Sequence, residues 1–404
     1  MDSSRIKVFL VSHRLSSLSL GTLFVLALLV FRLNFGSPYN FHMGTNALDT
    51  YIVNYAVKNF GVMAWYPLTD WGQPMIKVPT ITYPFILILP ETVFIRLFEF
   101  VSFLLAGIAM YFVSMKFVKN KPAATLSGLF YMTAVETSQM FEGHTALMLS
   151  FAVFPLAFIA IYNIVERPNI KSSIILALIF YILFAVGDIG AFYMIVVISL
   201  FEFLFVEAKN IFMRSWDFGH VKFIAFSAVL FVVANAAWLY QYLSGNRPQF
   251  TTNVTTVVAP FSHVSGQPIY YSLVGFIADN TYTSVTLHNF EYSFIHGYFY
   301  LIFLILPVFI FGYVAAKKSR MLVLFAFSAI PAVIISTANL YPGLSSVNEF
   351  LYLHFPLFNY IPALFRWNFY TDFVYALILA YIIGDTCKIL SDNRITRNWK
   401  RNLI

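Results

Sequence analysis

Residues 146–165 read Ala-Leu-Met-Leu-Ser-Phe-Ala-Val-Phe-Pro-Leu-Ala-Phe-Ile-Ala-Ile-Tyr-Asn-Ile-Val, with no charged side chain among them. A run of this length and composition matches the roughly 17–25 apolar residues that cross a hydrocarbon core. Nine further mainly apolar stretches lie near 16–34, 93–115, 122–140, 172–187, 190–206, 222–242, 298–315, 321–340 and 369–390. The whole chain of 404 residues agrees: 60% are hydrophobic and only 11% carry a formal charge. A soluble domain of this size needs far more polar surface than that. The reading is an all-α polytopic membrane protein of about ten transmembrane helices, one integral membrane domain over 1–404. A single cysteine, Cys387, excludes a disulfide framework and a cysteine zinc cluster.

The net charge of +7 is read loop by loop, because Lys and Arg placement reports orientation. The first stretch follows Arg5, Lys7 and Arg14 and is followed by Arg32-Leu33-Asn34-Phe35, not by a small-residue cleavage site, so it reads as a retained signal anchor. With both termini cytoplasmic, 19 of the 25 Lys and Arg fall inside, and Arg32, Lys58, Lys77, Arg96, Arg247 and Arg366 fall outside. An even number of spans satisfies the positive-inside rule at every loop. The inner loops are short and basic, whereas the outer segments 35–92, 243–297 and 341–368 are long. Chemistry or binding is therefore expected on the non-cytoplasmic face. The low Cys content and short tails point to a prokaryotic cell membrane.

Within the first outer segment, Leu48, Tyr51, Ile52, Tyr55, Ala56 and Phe60 recur at helical spacing behind an N-cap at Thr45 or Asn46. This predicts an amphipathic helix lying in the membrane interface, the kind of element expected in the outer loops. Asp49 falls in its first turn, where the helix dipole favours an ionised carboxylate. It is either a stabilising cap or a group that accepts a proton from a hydroxyl nucleophile. Downstream, Trp71 beside Asp70, with Trp65 and Tyr66 nearby, suits either a sugar platform or an interfacial aromatic belt.

The turn after span three contains Glu142 and His144, and the turn after span five contains Asp188. Polar groups at membrane depth either cap helix ends or line a polar cavity shared with Asp49. The last outer segment ends Phe365-Arg366-Trp367-Asn368 and enters span ten at once. The Arg366 guanidinium is suited to two-pronged phosphate binding, or else pairs with Asp372 or snorkels to the headgroups. Arg96 and Glu99 are spaced for an ion pair on one helix face. The sequence has no phosphate-binding glycine loop, no His-Glu-x-x-His and no spacing typical of a metal site, so neither metal nor cofactor is expected.

In layout these pieces resemble the GT-C class of membrane glycosyltransferases. The likeness runs through Leu48-Asp49-Thr50, Trp71-Gly72-Gln73-Pro74, Tyr83-Pro84, Gly143-His144 and Phe154-Pro155 to Ile361-Pro362 and Phe365-Arg366. The late element is similar to that of YfhO-like membrane proteins and of membrane domains labelled 6-pyruvoyl-tetrahydropterin synthase-related. The resemblance implies a polyprenyl-phosphate-linked sugar donor and a glycan, lipid or protein acceptor on the outer side. It also implies inversion at the anomeric carbon, with Asp49 as general base and Arg366, perhaps with His144, holding the lipid phosphate. Glu142, Asp188, Asp70 and Trp71 are the other expected substrate contacts. Two departures stand out: Trp367 to Asp372 offers no second basic residue, and no outer C-terminal domain is expected after span ten. The competing readings are a lipid or solute transporter with an outer-facing cavity and a non-catalytic cell-surface assembly protein. The bilayer is the expected medium, and nucleic acid is not an expected partner.

Overall fold

The computed structural model describes residues 16–29, 88–89, 91–139, 145–185, 194–200, 218–236, 300–317, 319–337, 340–354 and 367–392. Among the described residues the backbone is helical apart from short turns, and no strand occurs. The helices are α1 (Ser16–Leu29), α2 (Glu91–Val118), α3 (Lys121–Gln139), α4 (Thr145–Glu166) and α5 (Ile170–Ala185). They continue with α6 (Val221–Ala234), α7 (Tyr300–Lys317), α8 (Arg320–Ser336), α9 (Pro342–His354) and α10 (Asn368–Asp392). Three carry stretches long and apolar enough to cross a membrane: Phe100–Val118, Met148–Glu166 and Asn368–Leu390. Five shorter apolar helices accompany them, at Ser16–Leu29, Ile170–Leu183, Val221–Ala234, Ile305–Lys317 and Phe325–Ser336.

The apolar surface is consistent with a lipid solvent. Leu178, Val229, Val233, Val308 and Phe327 are all more than half exposed. A soluble monomer rarely leaves so much contiguous apolar area in water. In a bilayer such exposure carries no penalty, and cohesion has to come from close packing and interhelical hydrogen bonds.

Two tight turns close neighbouring helices. Lys119 adopts φ 55°, and Asn120 then caps α3 by accepting from the Ala123 N–H at 3.0 Å. Asn169 caps α5 in the same way, accepting from the Ser172 N–H at 2.8 Å. An Asn before the first helical residue fills one of the donor vacancies that every helix start leaves.

The α2–α3 pair packs at backbone distance. A Cβ on Gly128 would lie 2.5 Å from the Gly107 carbonyl oxygen, so only glycine fits. Small residues let membrane helices approach this closely. Across the same seam Ser114 donates to Ser127 at 2.8 Å, and Ser127 donates to the Ala376 carbonyl of α10 at 2.7 Å.

The contacts also give the helix directions. Phe117 packs on Phe158 and Tyr162, and Lys116 bonds Glu166, so α2 and α4 run parallel. Phe151 meets Phe369 and Phe158 meets Phe373, so α4 and α10 run parallel. Phe311 meets Tyr375, and Tyr313 and Lys317 reach Asp385, which puts α7 parallel to α10. By contrast α3 runs against α10, pairing Ser127 with Ala376 and Tyr131 with Phe373. Helix α8 also runs against α10, with Phe325 near Phe158 and Ser328 bonded to Tyr370.

One end of the bundle therefore gathers the ion pairs Lys116–Glu166 and Lys317–Asp385, with Lys119, Lys121 and Arg167 in the adjoining turns. These pairs are partly exposed, with side chains 34% and 41% accessible in the first, so each contributes little to stability.

Helix α9 falls in segment 341–368, which the sequence reading treats as an outer loop. Asn348 docks it by donating to the Ile334 carbonyl of α8 at 2.9 Å. Its apolar Val347, Phe350 and Leu353 face outward instead. The helix is short, and its periodicity is masked by Pro342-Gly343 and two serines, so it does not stand out as an apolar stretch.

Replacing Gly128 by Val should separate α2 from α3 and cost about 1–3 kcal/mol, as over-packing does. Gly312→Val, where no atom lies within 4 Å of the new Cβ, is the control. Thermal melting in detergent checks both: the first variant should melt lower, and the second should match the parent.

Candidate functional site

The sequence-derived candidates Asp49, Asp70, Trp71, Glu142, His144, Asp188 and Arg366 all lie outside the described residues, as does the amphipathic segment 44–60. The side chains of Arg96 and Glu99 do as well. What the structure describes is the set of helix ends that flank several of these positions. Gln139 and Thr145 bracket the turn with Glu142 and His144, Ala185 precedes Asp188, and Trp367 follows Arg366. Given the helix directions, these ends lie together at the end of the bundle opposite the basic one.

The central element is α10. From Trp367 to Ile378 no residue is more than 3% exposed. Its Phe369 stacks on Phe151 with ring centroids 4.5 Å apart and meets Phe154 edge-on at 5.1 Å. Phe373 lies 4.9 Å from both Phe154 and Phe158. Phe151 is six residues into α4 and Phe369 one residue into α10, so α10 begins about 7–8 Å further into the bundle than α4 does.

A buried helix start is consequential in a membrane. Its first N–H groups have no intrahelical partner and carry the positive end of the helix dipole.

Helix α10 also carries polar groups into the core. Asn368, Thr371, Asp372 and Tyr375 follow the i, i+3, i+4, i+7 spacing and share one face. All four are buried, Asp372 to 2% exposure. Asp372 lies within electrostatic reach of the phenols of Tyr131 and Tyr375. Tyr131 donates its own proton to the Phe151 carbonyl at 2.8 Å. The Thr371 hydroxyl has no hydrogen-bond partner among the described residues. In the sequence Asp372 stands only as a candidate partner of Arg366. The polar spacing along span ten was visible there, but its burial was not, because each residue sits between large apolar neighbours that suit a lipid-facing helix equally well.

Among the described residues no group of three His, Cys, Asp or Glu side chains gathers as metal ligands. No protein-family model matches the chain, and no curated protein or solved structure does.

At 2% exposure the Asp372 carboxyl is costly to keep charged. Asp372→Asn, which keeps the shape of the neutral group, is therefore expected to melt within about 2 °C of the parent. A lower melting temperature for this variant would mark Asp372 as a structural anchor.

Proposed function

We propose that the chain is a polytopic GT-C-like glycosyltransferase that moves a sugar from a polyprenyl-phosphate-linked donor to an acceptor on the non-cytoplasmic side, with inversion. One observation carries most weight: α10 starts inside the bundle, at Asn368, two residues after Arg366. A helix start and a guanidinium in sequence favour an anionic group such as a lipid phosphate.

The alternating helix directions and the gathering of Lys116, Lys119, Lys121, Arg167 and Lys317 at one end support a ten-span arrangement with that end and both termini cytoplasmic. A prokaryotic cell membrane remains the proposed location. In this reading Arg366, with His144, offsets the charge that develops on the leaving phosphate. Asp49 takes the proton from the acceptor hydroxyl as the hydroxyl oxygen attacks the anomeric carbon and the phosphate leaves with the bonding pair. Glu142, Asp188, Asp70 and Trp71 hold the sugar and acceptor.

A second reading has a specific observation in its favour. The buried polar stripe on α10 is what a lipid or solute transporter needs at mid-depth.

Purified protein in nanodiscs, given a panel of polyprenyl-phosphate hexoses, separates the two. The parent should transfer or hydrolyse at least one donor. Asp49→Asn should lose about 10²–10⁴-fold in turnover and Arg366→Ala about 10²–10³-fold, with melting unchanged. Full activity in Asp49→Asn would remove that residue as the base. Solute uptake into vesicles by a parent inert toward every donor would replace the enzyme reading by the transporter.

A further inference from the structure

We infer that Arg167 and Lys171, at the turn into α5, form with the apolar stripe beneath them a binding site for one anionic phospholipid. The level of the site follows from α4. Its membrane-crossing stretch is Met148–Glu166, so Arg167 is the first residue beyond it, at the depth of lipid headgroups. Basic side chains at that level attract anionic lipids.

The turn holds the two cations in a fixed relation. The Arg167 N–H donates to the Asn163 carbonyl at 2.9 Å, which continues α4. The Asn169 side-chain amide donates to the Arg167 carbonyl at 2.7 Å, and its oxygen accepts from the Ser172 N–H at 2.8 Å. One side chain thus ties the end of α4 to the start of α5. Arg167 and Lys171 are both exposed. The neighbouring carboxylate, Glu166, is bonded to a third cation, Lys116, so the turn carries a positive excess.

The face below the cations is apolar. Lys171, Ile174, Ile175 and Leu178 follow the i, i+3, i+4, i+7 spacing and share one side of α5. Ile174 and Leu178 are 50% and 55% exposed, whereas Ser173, Leu176, Ala177 and Ile179 are buried on the other side. Leu178 lies about 10 Å along the helix from Lys171. A molecule that matches the whole face therefore needs an anionic head and an apolar tail. A phospholipid has both, while a soluble phosphate matches the cations alone. The guanidinium can take two phosphate oxygens, with the ammonium as a second point charge. This inference requires that the bundle lie in a bilayer, but not that the chain be a glycosyltransferase.

The test is native mass spectrometry of the full-length protein released from detergent micelles containing equal amounts of dioleoyl phosphatidylglycerol and dioleoyl phosphatidylcholine. The tails are identical, and the heads differ in net charge. The first lipid adduct of the parent should favour phosphatidylglycerol by about ten-fold or more. Arg167→Gln with Lys171→Gln should bring that preference to about two-fold or less. Lys171→Gln alone, which leaves the hydrogen bonds of the turn intact, should lower it at least about two-fold and stands as the test if the pair does not fold. Lys119→Gln with Lys388→Gln removes as much charge from the same end of the bundle and should keep the preference. Dihexanoyl phosphatidylglycerol should be retained about ten-fold less than the dioleoyl lipid. Excess inorganic phosphate should leave the dioleoyl adduct in place.

Equal retention of the two dioleoyl lipids by the parent would overturn the site. So would an unchanged preference in the Arg167 and Lys171 variants, or an equal loss in the Lys119 and Lys388 pair. Equal retention of the short-chain lipid, or displacement by inorganic phosphate, would also overturn it, because the cations would then bind any soluble anion. None of these measurements involves a sugar donor, so their failure is distinct from failure of the transfer assay.

Discussion

Everything in this bundle depends on a helix whose first half is enclosed on every side. In water an apolar chain collapses to hide surface, but lipid accepts Leu178, Val233 or Phe327 as readily as the protein interior does. Order then has to come from shape and from polar groups that have nowhere else to go. Helix α10 provides both. Its Phe369 and Phe373 interleave with Phe151, Phe154 and Phe158 of α4. Its Ala376 carbonyl accepts from Ser127 of α3, and its Tyr370 donates to Ser328 of α8. The α2–α3 contact at Gly107 and Gly128 brings the Ser114–Ser127 bond within reach of that carbonyl. The glycines, the serines and the rings are therefore one assembly.

The same helix joins two requirements that normally conflict. A core wants uniform apolar packing, yet this one encloses Asn368, Thr371, Asp372 and Tyr375. Places where local chemistry opposes the surrounding fold are where function is expected. At the opposite end the charges behave conventionally. Lys116 reaches Glu166 and Asn163, and Asp385 accepts from Tyr313 at 2.7 Å and pairs with Lys317. Those groups remain near solvent. The contrast separates ionic groups kept near solvent from polar groups carried into the interior.

Much of the helical architecture was legible in the sequence, because long apolar stretches report themselves through composition alone. The Lys and Arg distribution also anticipates which helix ends lie together. Other features were hidden for physical reasons. Helix α9 is short, begins Pro-Gly and buries an asparagine while exposing Val347 and Phe350, so its pattern is inverted relative to a soluble amphipathic helix. The Gly107–Gly128 approach leaves no trace in periodicity. The polar stripe could be counted, but whether it faced lipid, water or protein is a property of neighbours far away in sequence. The candidates Asp49, Asp70, Trp71, Glu142, His144, Asp188 and Arg366 came from isolated residue types and from a resemblance, neither of which carries three-dimensional information.

The position of α10 along the chain has a biosynthetic consequence. A ribosome delivers α2, α3, α4, α7 and α8 before it delivers the helix they surround. The aromatic face of Phe151, Phe154 and Phe158 must therefore wait, shielded by lipid or by an insertase, for a keystone that arrives later. Completion of the core is then a late step, set by chain order.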